Sequence, residues 1–300
     1  MNIYIDKLIT NLPDENYGTI NLILDGGAFS GSYILGSLYY LKSLESCGKI
    51  EVDKMSGCSI GSILCILYKL NDLDYCCEVY SKIRNYFKEN GNLYIINEVM
   101  NDLRKKMKDD FYLSCNDNIY LSYHDIEKNT CIVKSVYENN EDIIETMIKS
   151  SYIPYICGDT ALYKDKYTDG LKPYIFKNGK ALFINLCMDY KCIIGMLNIK
   201  DEINNIERIL TGILDIHDFF IKKRPSSMCY YIHEMNISQK ILHILRLIIT
   251  HIIIFISYVG YHTYQLFEIE IHYPKYSNLL NQTNYYLKQI IYTYIRYFMV

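Results

Sequence analysis

The sequence predicts an α/β fold, and three observations carry the prediction. Twice within the first 70 residues, a strand-like run stops at a glycine turn and continues as a helical pattern. Further along, short apolar runs fit for buried strands alternate with stretches of helical spacing. A chain of 300 residues and 35.4 kDa is also long enough to bury a substantial core.

The first strand, Ile20-Asn21-Leu22-Ile23-Leu24, runs into Asp25-Gly26-Gly27-Ala28-Phe29-Ser30-Gly31. A helix is predicted over 33–45, with Leu35, Leu38, Leu41 and Leu44 on one face. The second strand, around 52–55, leads to Gly57-Cys58-Ser59-Ile60-Gly61 and a helix over 62–70. Residues 71–89 read as a helix closed by Asn90-Gly91, 119–123 and 131–136 as paired strands, and 141–149 as a helix. The runs 182–187 and 192–197 are apolar enough for buried strands, and 201–223 has helical spacing. That last helix ends in Lys222-Lys223-Arg224, a run expected to be a solvated helix end rather than a lipid-binding patch. Residues 241–261 have the length of a bilayer crossing but contain His243, Arg246 and His251, so a buried helix is the expected form, with a membrane-facing role as the alternative. A strand at 267–274 and a closing helix at 279–296 complete the reading.

The chemistry lies in the two turns. A strand, a tight turn with serine at its apex and then a helix is how a G-x-S-x-G elbow exposes a hydroxyl. The bland reading is a strand-to-helix connection whose glycines only permit close packing. The 25–31 turn can offer backbone N–H groups to a developing oxyanion. It does not fit a dinucleotide fingerprint, since no residue separates Gly26 from Gly27, and it lacks the Gly-Lys-Ser/Thr ending of a phosphate loop. Downstream come Ser150-Ser151-Tyr152-Ile153-Pro154 and Tyr167-Thr168-Asp169-Gly170. An Asp-Gly pair alone is a common turn; the order of all three elements carries the argument.

In that order the chain resembles the patatin-like phospholipases over about residues 18–200. The resemblance implies a three-layer α/β/α sandwich with a mainly parallel sheet, and hydrolysis of lipid acyl esters by a Ser–Asp dyad without histidine. It casts Ser59 as nucleophile, Asp169 as general base, and the amides of Gly26, Gly27 and Ala28 as the oxyanion hole, with Gly31, Gly57, Gly61 and Gly170 supporting the turns. The chain departs from the family pattern at Ala28, usually glycine, and at Ser30, usually Arg or Lys; a usual asparagine after Asp169-Gly170 is missing as well. Neither substitution in the first turn removes a backbone N–H. A catalytically silent lipid- or partner-binding member of the family is the alternative from another class. A Ser-His-Asp hydrolase is the other enzyme reading, with His217, His233, His243, His251, His262 and His272 as candidates. A serine at position 59 is early for that fold, and none of these histidines sits in a clear loop after a strand.

Composition narrows the setting. A net charge of −3 gives no electrostatic case for nucleic acid. Residues 1–10 hold Asp6 and Lys7 and no apolar core, so no signal peptide is predicted. Eleven cysteines, an odd number, predict reduced thiols and a cytoplasmic setting, with a position peripheral to membrane as the option a lipid substrate implies. Neither Cys76-Cys77 nor Cys187 and Cys192 has zinc spacing, and no acidic loop fits calcium, so neither metal nor cofactor is expected. Heavy use of Tyr, Ile, Asn and Lys, with no Trp, points to an AT-rich genome. The expected organisation is one domain over 1–300, with a catalytic core at 18–200 and an extension at 201–300. The expected partner is a glycerolipid or phospholipid at a membrane or lipid-droplet surface.

Overall fold

The computed structural model describes residues 2–234 continuously, with isolated positions between 237 and 299. In chain order the elements are α1 (Asn2–Thr10), β1 (Thr19–Leu24), α2 (Gly31–Ser46), β2 (Glu51–Cys58), α3 (Ile60–Leu70), α4 (Asp74–Asn90), α5 (Ile96–Lys106) and α6 (Phe111–Cys115). They continue with β3 (Ile119–Asp125), β4 (Thr130–Lys134), α7 (Asn140–Ser150), β5 (Tyr167–Asp169), β6 (Ala181–Ile184), α8 (Tyr190–Ile194), α9 (Ile206–Lys222) and β7 (Cys229–Tyr231). The fold is α/β, a mixed seven-stranded sheet flanked by helices.

Strand order is β4-β3-β2-β1-β6-β7, with β5 also on β3. The four central strands are parallel, while β4, β5 and β7 join antiparallel, so the mainly parallel sheet expected from sequence is parallel only at its centre. Connection length explains the edge: only residues 126–129 separate β3 from β4, too few for the crossover that a parallel pair requires. Strand β1 reads as a near-continuous apolar run because both of its faces are covered. Ile20, Leu22 and Leu24 face the main helical core, whereas Ile23 joins Phe176, Phe183 and Tyr230 on the other side.

Local signals explain the helix boundaries. The Asn139 side chain accepts the Asp142 N–H and caps α7, while Asn71 and Gly91 adopt left-handed backbone and end α3 and α4. One expected strand is a helix. Residues 192–197 were predicted extended, but α8 occupies Tyr190–Ile194, started by the Asp189 side chain, which accepts the Lys191 N–H. Tyr190, Ile193 and Ile194 are exposed, so the run is not the buried strand its apolarity suggested. At the end of α9 the basic run is paired with acids, Lys222 with Asp218 at 2.6 Å and Lys223 with Glu15 at 2.5 Å, as a helix end would be. The expected strand at 267–274 lies outside the described residues. So do the segments 241–261 and 279–296, apart from isolated helical positions. Among the described residues no helix is long and apolar enough to cross a membrane.

Helix α9 lies against α2 at unusually short range. A Cβ on Gly36 would fall on the backbone of Ile209, and one on Gly212 on the backbone of Tyr33. The closeness lets Ser37 Oγ donate to the Gly212 carbonyl at 3.1 Å. One turn further, Tyr40 Oη and His217 Nδ1 are hydrogen-bonded at 2.8 Å. Burial pushes the His217 pKa below the usual imidazole value. Between that lowered value and the unfolded one of about 6.5, the unfolded chain binds more protons. The stability contributed by neutral His217 is therefore complete above the unfolded pKa and is lost as pH falls through the window. Thermal denaturation from about pH 7 to 5 is expected to show a falling Tm, with a shallower decline in His217→Gln. Equal slopes in the two proteins would refute this.

Candidate active site

The elbow forms because side chains are missing on both sides of it. A Cβ on Gly57 would overlap the Gly61 backbone, and one on Gly61 would lie 2.5 Å from the Asp25 carbonyl oxygen. The chain between them turns sharply, and Ser59 adopts φ 52° and ψ −130°, a conformation costing a non-glycine residue about 1–3 kcal/mol. Surrounding bonds hold it there. Ser59 N–H donates to the Ser150 Oγ at 2.9 Å and to the Ser150 carbonyl at 3.1 Å. The Ser59 carbonyl accepts from Ser62 Oγ at 2.6 Å and from Ser62 N–H at 2.9 Å. Although Ser59 is the N-cap residue of α3, its side chain makes no capping hydrogen bond.

Sheet topology brings Asp169 to the same place. Strand β2 runs beside β3 as far as Cys58, which pairs with Ser122. From the next β3 residue onward that edge is taken by β5, with Asp169 opposite Tyr123. The other edge of β3 is filled by β4, so β2 and β5 end head to head in one lane of the sheet. Ser150 joins the two ends. Its carbonyl accepts both Ser59 N–H at 3.1 Å and Gly170 N–H at 3.4 Å, and its Oγ donates to the Ser122 carbonyl at 2.7 Å. Asp169 Oδ1 accepts the Leu171 N–H at 2.8 Å. Gly170 lies so close to the Ser122 backbone that any side chain would collide with it. The half-buried Asp169 also bears on Cys157, whose thiol is pushed up to about 12 mainly by burial and further by that charge.

The 25–31 turn packs onto the elbow. A Cβ on Gly26 would lie 3.0 Å from that of Ser59, one on Gly31 would collide with Ile60, and one on Gly27 would meet Leu186. Ala28 has φ 44° and opens a short 3₁₀ turn that leads into α2. The three expected oxyanion amides are not equivalent. Gly26 N–H is taken by the Asp25 carboxylate at 2.8 Å. Among the described residues the N–H groups of Gly27 and Ala28 have no acceptor, and the next two are used by Met196 and Gly27 carbonyls. The expectation for this turn thus narrows from three donors to two.

Ser59 and Ala28 line one part of an apolar cleft with an internal volume of about 90 Å³. Helix α3 lines it with Ile60, Ile63 and Leu67, α4 with Val79, Tyr80 and Ile83, and α5 with Ile96, Val99 and Leu103. Ile60 and Leu67 are about 10 Å apart along the α3 axis. The sequence did not single out this cleft, since the same spacing of apolar residues describes any amphipathic core helix. It also missed Arg208, a buried cation from α9 whose Nη1 is 3.4 Å from Ser30 Oγ, at the turn where the family pattern has its basic residue.

Of the six downstream histidines, two are described. His217 pairs with Tyr40, and His233 Nε2 lies 3.2 Å from the Gly179 carbonyl oxygen. His243, His251, His262 and His272 lie outside the described residues. His124 follows Tyr123 on β3 and so points to the opposite face from Asp169. Among the described residues no cluster of His, Cys, Asp and Glu could hold a metal, and no disulfide joins the eleven cysteines.

A strand, a sharp turn at Ser59 and a helix thus lie under a glycine turn beside an apolar cleft, the local arrangement of a G-x-S-x-G elbow. The patatin-like phospholipase family model matches residues 22–171, half of the chain. The protein belongs to that family, whose members are lipid acyl hydrolases. A search of curated proteins gave no match.

Proposed function

We propose that the protein hydrolyses carboxylic esters of phospholipids or related glycerolipids through a Ser59–Asp169 dyad. The observation that carries this reading is the head-to-head meeting of β2 and β5, which brings the serine elbow and the aspartate to one point bridged by Ser150. Asp169 takes the Ser59 hydroxyl proton as Oγ attacks the ester carbonyl carbon. The electron pair of the C=O bond moves to oxygen, where the Gly27 and Ala28 amides and the N-terminal end of α2 stabilise the charge. Collapse expels the lyso-lipid alkoxide, which takes the proton from Asp169. Water, deprotonated by Asp169, then attacks the acyl-serine carbonyl; the Oγ–acyl bond breaks, Ser59 Oγ recovers the proton from Asp169, and a fatty acid is released. A carboxylate with a reference pKa near 4 is a weak base, so the work falls mainly on positioning and on charge stabilisation.

The acyl chain occupies the α3–α4–α5 cleft in this reading, with its carbonyl at Ser59. Leu67→Trp, farther along α3 from Ser59, is expected to lower kcat/KM on palmitoyl relative to butyryl p-nitrophenyl esters by about 10-fold or more. A parallel loss on both esters would place the chain elsewhere. The setting we propose is a reducing one, with the enzyme meeting its substrate at a membrane or droplet surface.

The direct test is labelling of the folded chain by a fluorophosphonate probe, in wild type and in Ser59→Ala. Labelling confined to the wild type supports the reading. Absence of labelling, together with retained lipid binding, would establish the catalytically silent alternative.

A further inference from the structure

We infer that Arg208 is a positioning residue for the 27–30 turn, and that Tyr80 ties this arginine to the wall of the apolar cleft. The inference rests on the reading of that turn as the oxyanion site. Arg208 is 7% exposed, and its guanidinium grips one segment on several sides. Nη1 donates to the Gly195 carbonyl at 2.8 Å and Nη2 to the Asn198 carbonyl at 2.9 Å; Nε pairs with Glu202 at 2.8 Å. The planar, permanently charged fork suits three such acceptors in a way a lysine ammonium cannot.

The gripped segment in turn holds the glycine turn. Met196 O accepts the Phe29 N–H at 3.0 Å, Cys192 O accepts the Ser30 hydroxyl at 2.6 Å, and Arg208 itself reaches Ser30 Oγ at 3.4 Å. The amides of Gly27 and Ala28, which have no acceptor among the described residues, immediately precede these anchored residues. On its other side, Glu202 accepts the Tyr80 hydroxyl at 2.8 Å, and Lys88 Nζ donates to the Glu202 carbonyl at 3.1 Å. Tyr80 lines the cleft, and its ring meets that of Phe29 edge-on at 5.7 Å. A continuous path therefore runs from the cleft wall through Tyr80, Glu202 and Arg208 to the turn. An acyl chain packed on Tyr80 presses on the same network that sets the direction of the Gly27 and Ala28 amides.

Two conservative variants test the path, because Arg208→Met would leave the half-buried Glu202 without its cation. Arg208→Lys keeps the charge and loses the fork, whereas Tyr80→Phe keeps the ring and loses the hydroxyl. Amide hydrogen exchange on the full chain is the primary readout, and it requires no turnover. In both variants exchange of the peptide covering 26–31 is expected to rise about 10-fold, with β3 and α7 unchanged. Ester kinetics should show kcat falling about 10-fold or more with KM within about twofold, since a displaced oxyanion donor acts on the transition state. Unchanged exchange at 26–31, or an equal rise across the whole chain, would overturn the inference. So would faster exchange at 26–31 with unaltered kcat. A chain that labels no probe and turns over no ester would sink the hydrolase reading alone, leaving the exchange data to decide the coupling.

Discussion

Ser59→Ala is expected to abolish fluorophosphonate labelling and to lower ester turnover by at least about 10³-fold, while Asp169→Asn lowers it by about 10²–10⁴-fold. The alanine removes the atom that forms the acyl-enzyme. It does not disturb the bonds that hold the elbow, because Ser59 is anchored through its backbone to Ser150 and Ser62. Tm should therefore stay close to that of the wild type. The asparagine keeps an acceptor for the Leu171 N–H but has no carboxylate to take a proton. The two losses should not add, since nucleophile and base act as a unit and the double variant should resemble Ser59→Ala alone. Retained turnover in Ser59→Ala would refute the assignment. Histidine controls separate dyad from triad: His217→Gln and His233→Gln should both keep most of the activity, because their rings are engaged by Tyr40 and near Gly179.

Gly36→Ala and Gly212→Ala are expected each to destabilise the fold by about 2 kcal/mol, or roughly 5 °C in Tm. Helix propensity alone predicts the opposite sign, since replacing an interior helical glycine with alanine is worth about 1 kcal/mol. Sterics win here because the new methyl would meet a backbone carbonyl of the neighbouring helix, Ile209 in one case and Tyr33 in the other, and not a side chain able to rotate away. The two helices would have to separate, loosening the Ser37–Gly212 bond and the Tyr40–His217 pair as well. Once separated they tolerate the second methyl more readily, so the double variant should cost less than the sum. Calorimetry on the three variants decides the matter, and a raised Tm in either single variant would defeat the argument. Because the glycine turn feeds directly into α2, slower probe labelling should accompany the lost stability.

Much of this was legible in the sequence for a physical reason. Gly57 is forced by the Gly61 backbone four residues on, and that local constraint leaves a local signature. Gly61, Gly26 and Gly31 are legible because each sits in a tight turn, even though what each meets lies in the other turn. The α/β alternation, the β3–β4 pair and the helices over α2, α3, α4, α7 and α9 follow from periodicity in the same way. What failed depended on distance or on brevity. The five residues of α8 are too few for a period to show, and their apolarity faces outward. Arg208 is 178 residues from Ser30, so nothing in the spacing announces that they meet. Gly36 and Gly212 read as poor helix formers until the two helices are laid together. The occupation of the Gly26 amide by Asp25 turns on the orientation of a single carboxylate, which no pattern of residue types encodes.

The Ser150 carbonyl has a wider consequence. By accepting from both Ser59 and Gly170, one peptide unit fastens the two reactive ends of the sheet to the last turn of α7. The α4 and α5 walls come from a stretch of chain separate from the reactive pair, whereas the α3 wall continues directly from Ser59. Residues 71–106 can diverge to suit a different acyl group while the apparatus keeps its shape, provided the Tyr80–Glu202 bond that ties α4 to the glycine turn is kept.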